Sequence, residues 1–316
     1  MLGSVQDAED ALQETLLAAW RGLAGFQGRS SLRSWLYRIA AHACLRLAAT
    51  RRRVLSPEYG PARTDVHQLG DLVTEPVWLE PYPSAETQSE ERESVDLAYV
   101  AALQHLPARQ RAVLILREVL QFSATEVAHV LGTSVASVNS SLQRARKTAA
   151  ERITGPSQQA ELRTLGEGGQ RELVAAFVAA WERADVTAMV ALLAEDARFS
   201  MPPLPAWFRG RDDVLRFMTQ RMWAAPWRLV PLRANAQLAF ACYQGQASEA
   251  PTEFRLSAIN VVSIRAGRVA TLTGFLDPGV HRCFGLAAMR LAPPVSHYFK
   301  EGHTRTGGNQ AWIATP

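Results

Sequence analysis

Apolar positions repeat at helical spacing through the first half of the chain and at strand spacing through much of its last third. From Asp7 to Leu23 the pattern predicts a helix with Ala8, Leu12, Ala19 and Leu23 on its apolar face and Asp7, Asp10 and Glu14 on the opposite one. Gly25 to Ser31 interrupts it. A second helix, capped by Ser30 or Ser31, is expected to bury Leu32, Trp35, Leu36, Ile39 and Ala43 and to run into Arg51-Arg52-Arg53. Residues 56–93 hold Pro57, Pro61, Pro76, Pro81 and Pro83 among scattered acids, with little periodicity, and read as a linker. Helices resume at Ser94–His105, from Pro107 as first helical residue to Leu120, at Ser123–Leu131 and at Val135–Arg152, with only Gly132-Thr133-Ser134 between the last two. Gly155-Pro156 and then Gly166, Gly168 and Gly169 mark a second boundary. Beyond it lie helical stretches at Arg171–Arg183 and Val186–Leu193, a strand at Ala197–Met201 and a helix at Asp212–Met222. Strand-like runs follow at 228–235, 237–244, 253–265 and 268–276, and together these predict an α+β domain. Residues 289–316 show no period and are expected to form a disordered tail.

Composition narrows the class. With 316 residues, 47% of them apolar and 20% charged, the chain can bury two or three cores, which excludes a disordered tail protein or a disulfide miniprotein. Cys44, Cys242 and Cys283 form no CxxC pair and join no His/Cys cluster at ligand spacing, so neither a disulfide framework nor a metal site is expected, and no cofactor is implied. No apolar run approaches the roughly 20 residues of a membrane span, and no signal-peptide pattern follows Met1, so a cytoplasmic protein without membrane contact is expected. The net charge of +4 is uneven: residues 1–57 carry eight Arg against four acids, and residues 58–100 two Arg against ten acids. Residues 101–155 return to seven basic against three acidic side chains. Two basic blocks around an acidic segment suit two separate contacts with a polyanion.

Candidate chemistry follows from spacing. Residues 123–152 have the form of a helix-turn-helix, in which polar groups near the start of the second helix meet base edges and basic groups further on meet phosphates. Ser137, Asn139, Ser140 and Gln143 suit the first role, and Arg144, Arg146 and Lys147 the second; a helical hairpin with a solvated basic face is the alternative. On the helix from Leu32, Arg38, His42 and Arg46 fall at i, i+4 and i+8, and no acid lies between Glu14 and Glu58, a positive field suited to a nucleic-acid groove. Trp35 and Tyr37 offer rings for an unpaired base or for core packing.

Asp7-Ala8-Glu9-Asp10, Gln13-Glu14 and Ala19-Trp20-Arg21, then Ser34-Trp35-Leu36-Tyr37-Arg38-Ile39-Ala40, then Leu106-Pro107-Ala108-Arg109-Gln110-Arg111, resemble the extracytoplasmic-function sigma factors of the sigma-70 family. The resemblance implies two all-α sigma domains, the second a helix-turn-helix, over about the first half of the chain. It implies that Asp7, Asp10, Gln13 and Glu14 face the β′ clamp helices of core RNA polymerase, with the β subunit as further partner. Arg38, His42 and Arg46 would lie along promoter −10 DNA, with the Gln27–Ser31 loop near a flipped base. Ser137, Asn139, Ser140, Gln143, Arg144, Arg146 and Lys147 would lie at the −35 groove. Departures from the family pattern are His42 and Arg46, where it has asparagine and an acid, and Asn139 and Ser141, where relatives often carry Arg. Met1-Leu2-Gly3-Ser4 resembles the turn after the family's first helix, so a preceding helix is expected to be missing from the first domain.

Phe177–Leu193, Ala197 to Pro203 and Trp207-Phe208-Arg209-Gly210-Arg211 resemble the SnoaL-like branch of the nuclear-transport-factor-2-like superfamily, a cone-shaped α+β fold around a pocket. The pocket candidates are Met201, Trp207, Phe208, Phe217, Trp223, Tyr243 and Phe275, with Asn260 and Asp277 as polar members. No convincing Asp/His pair for acid/base work emerges from them. The expected division is sigma domain 2 (partial) at 1–55, an acidic linker at 56–93, sigma domain 4 at 94–154, a linker at 155–169, a SnoaL-like domain at 170–288 and a tail at 289–316. The implied function is that of an RNA polymerase sigma factor, not an enzyme, regulated by its C-terminal domain through a small-molecule ligand or an intramolecular contact. Rival readings are a one-component ligand-sensing regulator and a SnoaL-type enzyme with a DNA-binding appendage.

Overall fold

The computed structural model describes residues 1–50, 58, 60–73, 78–84, 103, 105–152, 157–246 and 252–291. The segment expected to be helical at 94–105 lies outside these residues apart from Leu103 and His105, as do Arg51-Arg52-Arg53 and residues 292–316.

Helix α1 runs over Val5–Gly22, with Ser4 as N-cap, and continues as a short 3₁₀ turn over Leu23–Gly25. Its inward side corrects the sequence expectation. Val5, Asp7, Ala11, Thr15 and Ala19 are buried, whereas Leu12 and Leu23 are exposed and Trp20 is 78% exposed. Small side chains at Ala11, Thr15 and Ala19 decide this, because they let α1 approach α2 (Leu32–Thr50). At Gly22 an added Cβ would stand 3.2 Å from the Trp35 ring. Ser31 provides the side-chain oxygen at the start of α2, accepting from the Ser34 amide at 3.1 Å. Ala43 is fully buried as expected, but Leu32 is exposed and Trp35, Leu36 and Ile39 are only half-buried.

Helices α3 (Ala108–Leu114), α4 (Ala124–Leu131) and α5 (Val135–Arg152) build the second helical unit. Pro107 is the N-cap of α3 rather than its first residue, and beyond Leu114 the chain widens into a π turn over Ile115–Val119. Ser123 and Glu126 form a reciprocal capping box at the start of α4, and Gly132 ends it in the left-handed conformation (φ 61). Val113, Leu114, Val127, Val130, Leu131, Val138, Leu142 and Ala145 close one core. Ala41, Tyr37 and Leu45 of α2 pack on it, so the two helical units share apolar contacts.

Helical structure over Gln158–Glu182, taken together as α6, occupies the described part of the expected linker at 155–169 and is kinked at Gly166. Gly166 has non-helical geometry (φ 64, ψ 172), so two helical segments meet there at a kink, where the sequence placed a boundary. Its first half belongs to the third unit, since Gln158 donates to the Ile264 carbonyl at 2.9 Å and accepts from the Ile264 amide. Then follow α7 (Val186–Leu192), β1 (Leu193–Ser200), β2 (Trp207–Arg209), α8 (Arg211–Gln220), β3 (Trp227–Ala234), β4 (Gln237–Gly245), β5 (Glu253–Arg265), β6 (Arg268–Phe275), α9 (Pro278–Cys283) and β7 (Met289–Leu291). The sheet order is β2-β1-β6-β5-β4-β3, with β7 against β5; among the described residues the β1–β6 pair is parallel and the other strand pairs are antiparallel. Three short elements have no counterpart in the sequence reading: β2, α9 and β7, the last within the first residues of the expected tail.

Strand alternation sends Phe240, Cys242, Ala258 and Val262 to the face covered by α6, α7 and α8. Ala239, Ala241, Tyr243, Val261 and Phe275 go to the other face, beneath α9 and Leu286. The described parts of the acidic linker lie on this third unit. Val66 enters the helix-side core, the Arg63 amide donates to the Trp207 carbonyl at 2.7 Å and the Val73 amide to the Pro203 carbonyl at 2.9 Å.

Candidate nucleic-acid interface

The helix-turn-helix is built by local rules. The capping box starts α4, Gly132 turns the chain, and Ser134 accepts from the Ser137 amide at 3.2 Å at the start of α5. Val138, Leu142, Ala145 and Ala149 bury one side of α5. Ser137, Asn139, Ser140, Gln143, Arg144, Arg146 and Lys147 are exposed on the remainder. Arg144 lies 3.5 Å from the Ser141 hydroxyl. Arg146 is tied down instead: its Nε donates to Glu118 at 2.5 Å, linking α5 to the π turn. Arg146 is thus held by an acid of its own domain, while Arg144 and Lys147 are exposed on the same helix.

On the first unit the acidic and basic stripes meet. Arg46 of α2 pairs with Glu14 of α1, and Asp10 accepts from the Gln6 amide group at 3.2 Å. Gln13, Arg38 and His42 are exposed. Asp7 is not part of that open surface; it is 3% exposed. Trp35 stacks obliquely on Phe26 at 5.1 Å and Tyr37 meets Phe122 edge-on at 5.2 Å, so both rings serve packing.

Two features escaped the sequence reading. Arg33 reaches from α2 into the second unit, where its Nη2 donates to the Leu120 carbonyl at 2.9 Å and its guanidinium lies 4.4 Å from the centre of the Phe122 ring. Partners 87 positions apart leave no local signature. The other is the segment 78–84. Within it the Val5 amide donates to Glu80 at 2.5 Å and the Glu80 amide to the Gly3 carbonyl at 2.9 Å, while Tyr82, Pro83 and Ser84 engage the β3–β4 hairpin. Its prolines and acids resembled those of an open linker.

In the third unit the expected pocket residues do not converge. Met201, Phe208 and Phe217 lie in the helix-side core with Trp223 packed against it, and Asn260 shares that face as the cross-strand partner of Phe240. Asn260 is 1% exposed, and its side chain lies within hydrogen-bonding reach of the Cys242 thiol. Tyr243 and Phe275 point to the opposite face because residues one apart on a strand alternate. Trp207, next to Phe208, likewise turns away, and its indole donates to the Gly60 carbonyl at 3.0 Å. Asp277 is exposed and caps α9, accepting from the Gly279 amide at 2.6 Å. Burial pushes the Cys242 thiol up and the His281 imidazole down; the latter pairs with the Phe275 carbonyl at 2.8 Å. Among the described residues there is no cluster of three or more His, Cys, Asp or Glu suited to a metal ion, and no helix long and apolar enough to cross a membrane.

Comparison with known proteins fits this architecture. Residues 1–54 match the family described as Sigma-70 region 2, residues 96–148 Sigma-70 region 4, and residues 174–272 the SnoaL-like domain. The ECF RNA polymerase sigma factor SigG of Mycobacterium tuberculosis is 41% identical over 305 residues, covering 90% of this chain and 79% of its own. The RNA polymerase sigma factor YlaC of Bacillus subtilis is 34% identical over 148 residues, 45% of this chain and 75% of its own. In fold, the crystal structure of the Mycobacterium tuberculosis extracytoplasmic function sigma factor SigJ matches with a TM-score of 0.59 at 22% identity, covering 89% of this chain and 91% of that one. Sigma-70 regions 2 and 4 on one chain define a subunit that brings RNA polymerase to promoters. The chain belongs to the extracytoplasmic-function RNA polymerase sigma factors, and it carries a SnoaL-like C-terminal domain. Its partners are core RNA polymerase and promoter DNA.

Proposed function

We propose that the two helical units divide promoter recognition and that the C-terminal domain regulates it without chemistry. In this reading Asp10, Gln13 and Glu14, with Asp7 when it is uncovered, dock on the polymerase clamp. Arg38, His42 and Arg46 follow the −10 DNA, and α5 reads the −35 groove. The carrying observation is the exposed row Ser137, Asn139, Ser140, Gln143, Arg144 and Lys147 behind a capped turn, opposite a buried row on the same helix. Asn139 and Gln143, one turn apart, have the amide chemistry that pairs with adenine edges, and Arg144 and Lys147 that of phosphate contacts. The non-enzymatic reading of the third domain is supported by its interior: among its described residues the buried titratable side chains are Cys242, on the helix side of the sheet, and Tyr243 and His281, on the opposite side, so they do not meet in one site. Action in the cytoplasm, where the polymerase is, completes the proposal.

Run-off transcription with sigma-free core polymerase, on DNA from upstream of the protein's own gene, tests it. Specific transcripts are expected. DNA binding without polymerase, and no transcript, would favour a one-component regulator; turnover abolished by Asn260→Ala would favour an enzyme.

A further inference from the structure

The indoles in and against the third unit are not all treated alike. Trp78, Trp207 and Trp227 each donate an indole N–H to a backbone carbonyl: to Val73 at 2.8 Å, to Gly60 at 3.0 Å and to Met222 at 2.8 Å. The indole nitrogens of Trp181 and Trp223 are shut off from solvent and have no hydrogen-bond partner among the described residues. A buried N–H without an acceptor is costly to keep. Both of these indoles are placed by Trp227. The Trp181 ring meets it edge-on at 6.3 Å, and the Trp227 N–H holds the carbonyl of Met222, the residue before Trp223 in a 3₁₀ turn over Met222–Ala224. The last turn of α6, which carries Trp181, is fixed to β3 as well: Glu182 accepts from the Leu229 amide at 2.8 Å and pairs with Arg228 at 3.4 Å.

The surroundings of the two donors select what could meet them. Trp181, 1% exposed, packs on Phe177, which in turn stacks on Phe240 at 4.7 Å. The buried members of this core carry no charged side chain. A charged ligand would lose its hydration here with no counter-ion, and a water molecule is a poor match for two donors in apolar surroundings. An uncharged molecule with an apolar body and an acceptor oxygen suits both the donors and the walls. Trp223 is half-buried although its N–H is covered, so its ring reaches the surface between exposed Arg221 and Ala224. We propose that Trp181 and Trp223 form a ligand site in the C-terminal domain for a small uncharged carbonyl compound. Its oxygen accepts from the indole N–H groups, and its apolar body packs against Phe177, Trp227 and Phe240. The inference concerns binding by this domain, so it goes beyond the promoter-recognition reading and does not depend on it.

The test uses the full chain labelled with nitrogen-15 and reads the indole N–H resonances of Trp181 and Trp223, assigned from Trp181→Phe and Trp223→Phe. The probes are cyclohexanone, the smaller ketone acetone, and methylenecyclohexane, which has the shape of cyclohexanone without its acceptor oxygen. None of them carries an aromatic ring, so a downfield shift of an indole proton reports a hydrogen bond. Saturable downfield shifts of both resonances are expected with cyclohexanone or with acetone, and none with methylenecyclohexane. Phenylalanine keeps the aromatic bulk and removes the donor. In Trp181→Phe the affinity for the ketone is expected to fall about tenfold, while that for methylenecyclohexane changes by no more than about twofold, both followed at the remaining indole. Trp223→Phe, at the half-buried wall, gives the same comparison if Trp181→Phe does not fold. No saturable shift with either ketone overturns the proposal. So does ketone binding that leaves both resonances in place, which would put the site elsewhere. An equal loss of affinity for ketone and hydrocarbon in the variants would show that the rings serve packing, and would overturn it as well.

Discussion

Arg144 and Arg146 stand two positions apart on one helix and have different employment. Arg144 is open to solvent beside Ser141, whereas Arg146 is held by Glu118. Arg144→Ala is therefore expected to weaken −35-dependent transcription, to flatten the salt dependence of DNA binding by about one phosphate contact, and to leave core affinity unchanged. Electrophoretic binding at several salt concentrations and a core-binding assay check this. Asn139→Ala should cost about 1–3 kcal/mol of discrimination at a single base position, seen as relaxed preference there in a promoter-variant series. That these side chains would be exposed together on α5 was legible because the turn and the polar row are local. Asp7 was not: a helical wheel shows which residues share a side, but the partner decides which side is inward. Here Ala11, Thr15 and Ala19 admit α2 more closely than Leu12, Leu16 and Trp20 could. Tyr243 and Phe275 were misplaced for a similar reason, since a residue's apolarity does not say which of two covered sheet faces it serves.

At the scale of elements, ends were better marked in the helix-turn-helix than elsewhere. Ser123 and Gly132 bracket α4 with signals that act over three or four residues, so sequence and structure agree. Ser123→Ala removes a hydrogen bond to the Glu126 amide and unpairs the box, which is expected to cost about 0.5–2 kcal/mol. A lowered melting temperature and weaker −35 binding would register it, and Ser123→Thr should restore both. Gly166, at positive φ, marks the kink where two helical segments meet, and contacts of Gln158 and Glu161 with the β5–β6 end, which no local signal announces, hold the first segment in place. Short β2, α9 and β7 carry too few residues to show a period, and tertiary pairing alone defines them.

At the scale of the molecule, three domains in sequence order are not three beads. Residues 58–84, between the two sigma domains in sequence, contribute Val66 and Leu79 to cores of the third. A chain ending at residue 157 is expected to expose both and to bind the dye ANS, while a version that also lacks 58–84 should not. The joint between Glu80 and the start of α1 also responds to pH. Glu80 has its pKa raised above 4.5 by burial, so its contribution to this joint is fully present below about that pH and is lost as pH rises through the raised value. His281, pushed below 6.5 by burial, acts in the opposite sense, supporting its local fold above that pH and withdrawing support as pH falls. Exchange at the Val5 amide, corrected for its intrinsic rate, should accelerate from pH 4.5 to 7, and Glu80→Gln should flatten that trend.

Ser84, fixed to the β3–β4 hairpin, has a consequence for how far the second helical unit can lie from the sheet. With Ser84 seated, the chain available between that anchor and Leu103 of the second helical unit is the 18 residues from 85 to 102. Fully extended, these reach about 60 Å. Seating of Ser84 therefore puts an upper bound of about 60 Å on how far Leu103 can lie from the β3–β4 hairpin.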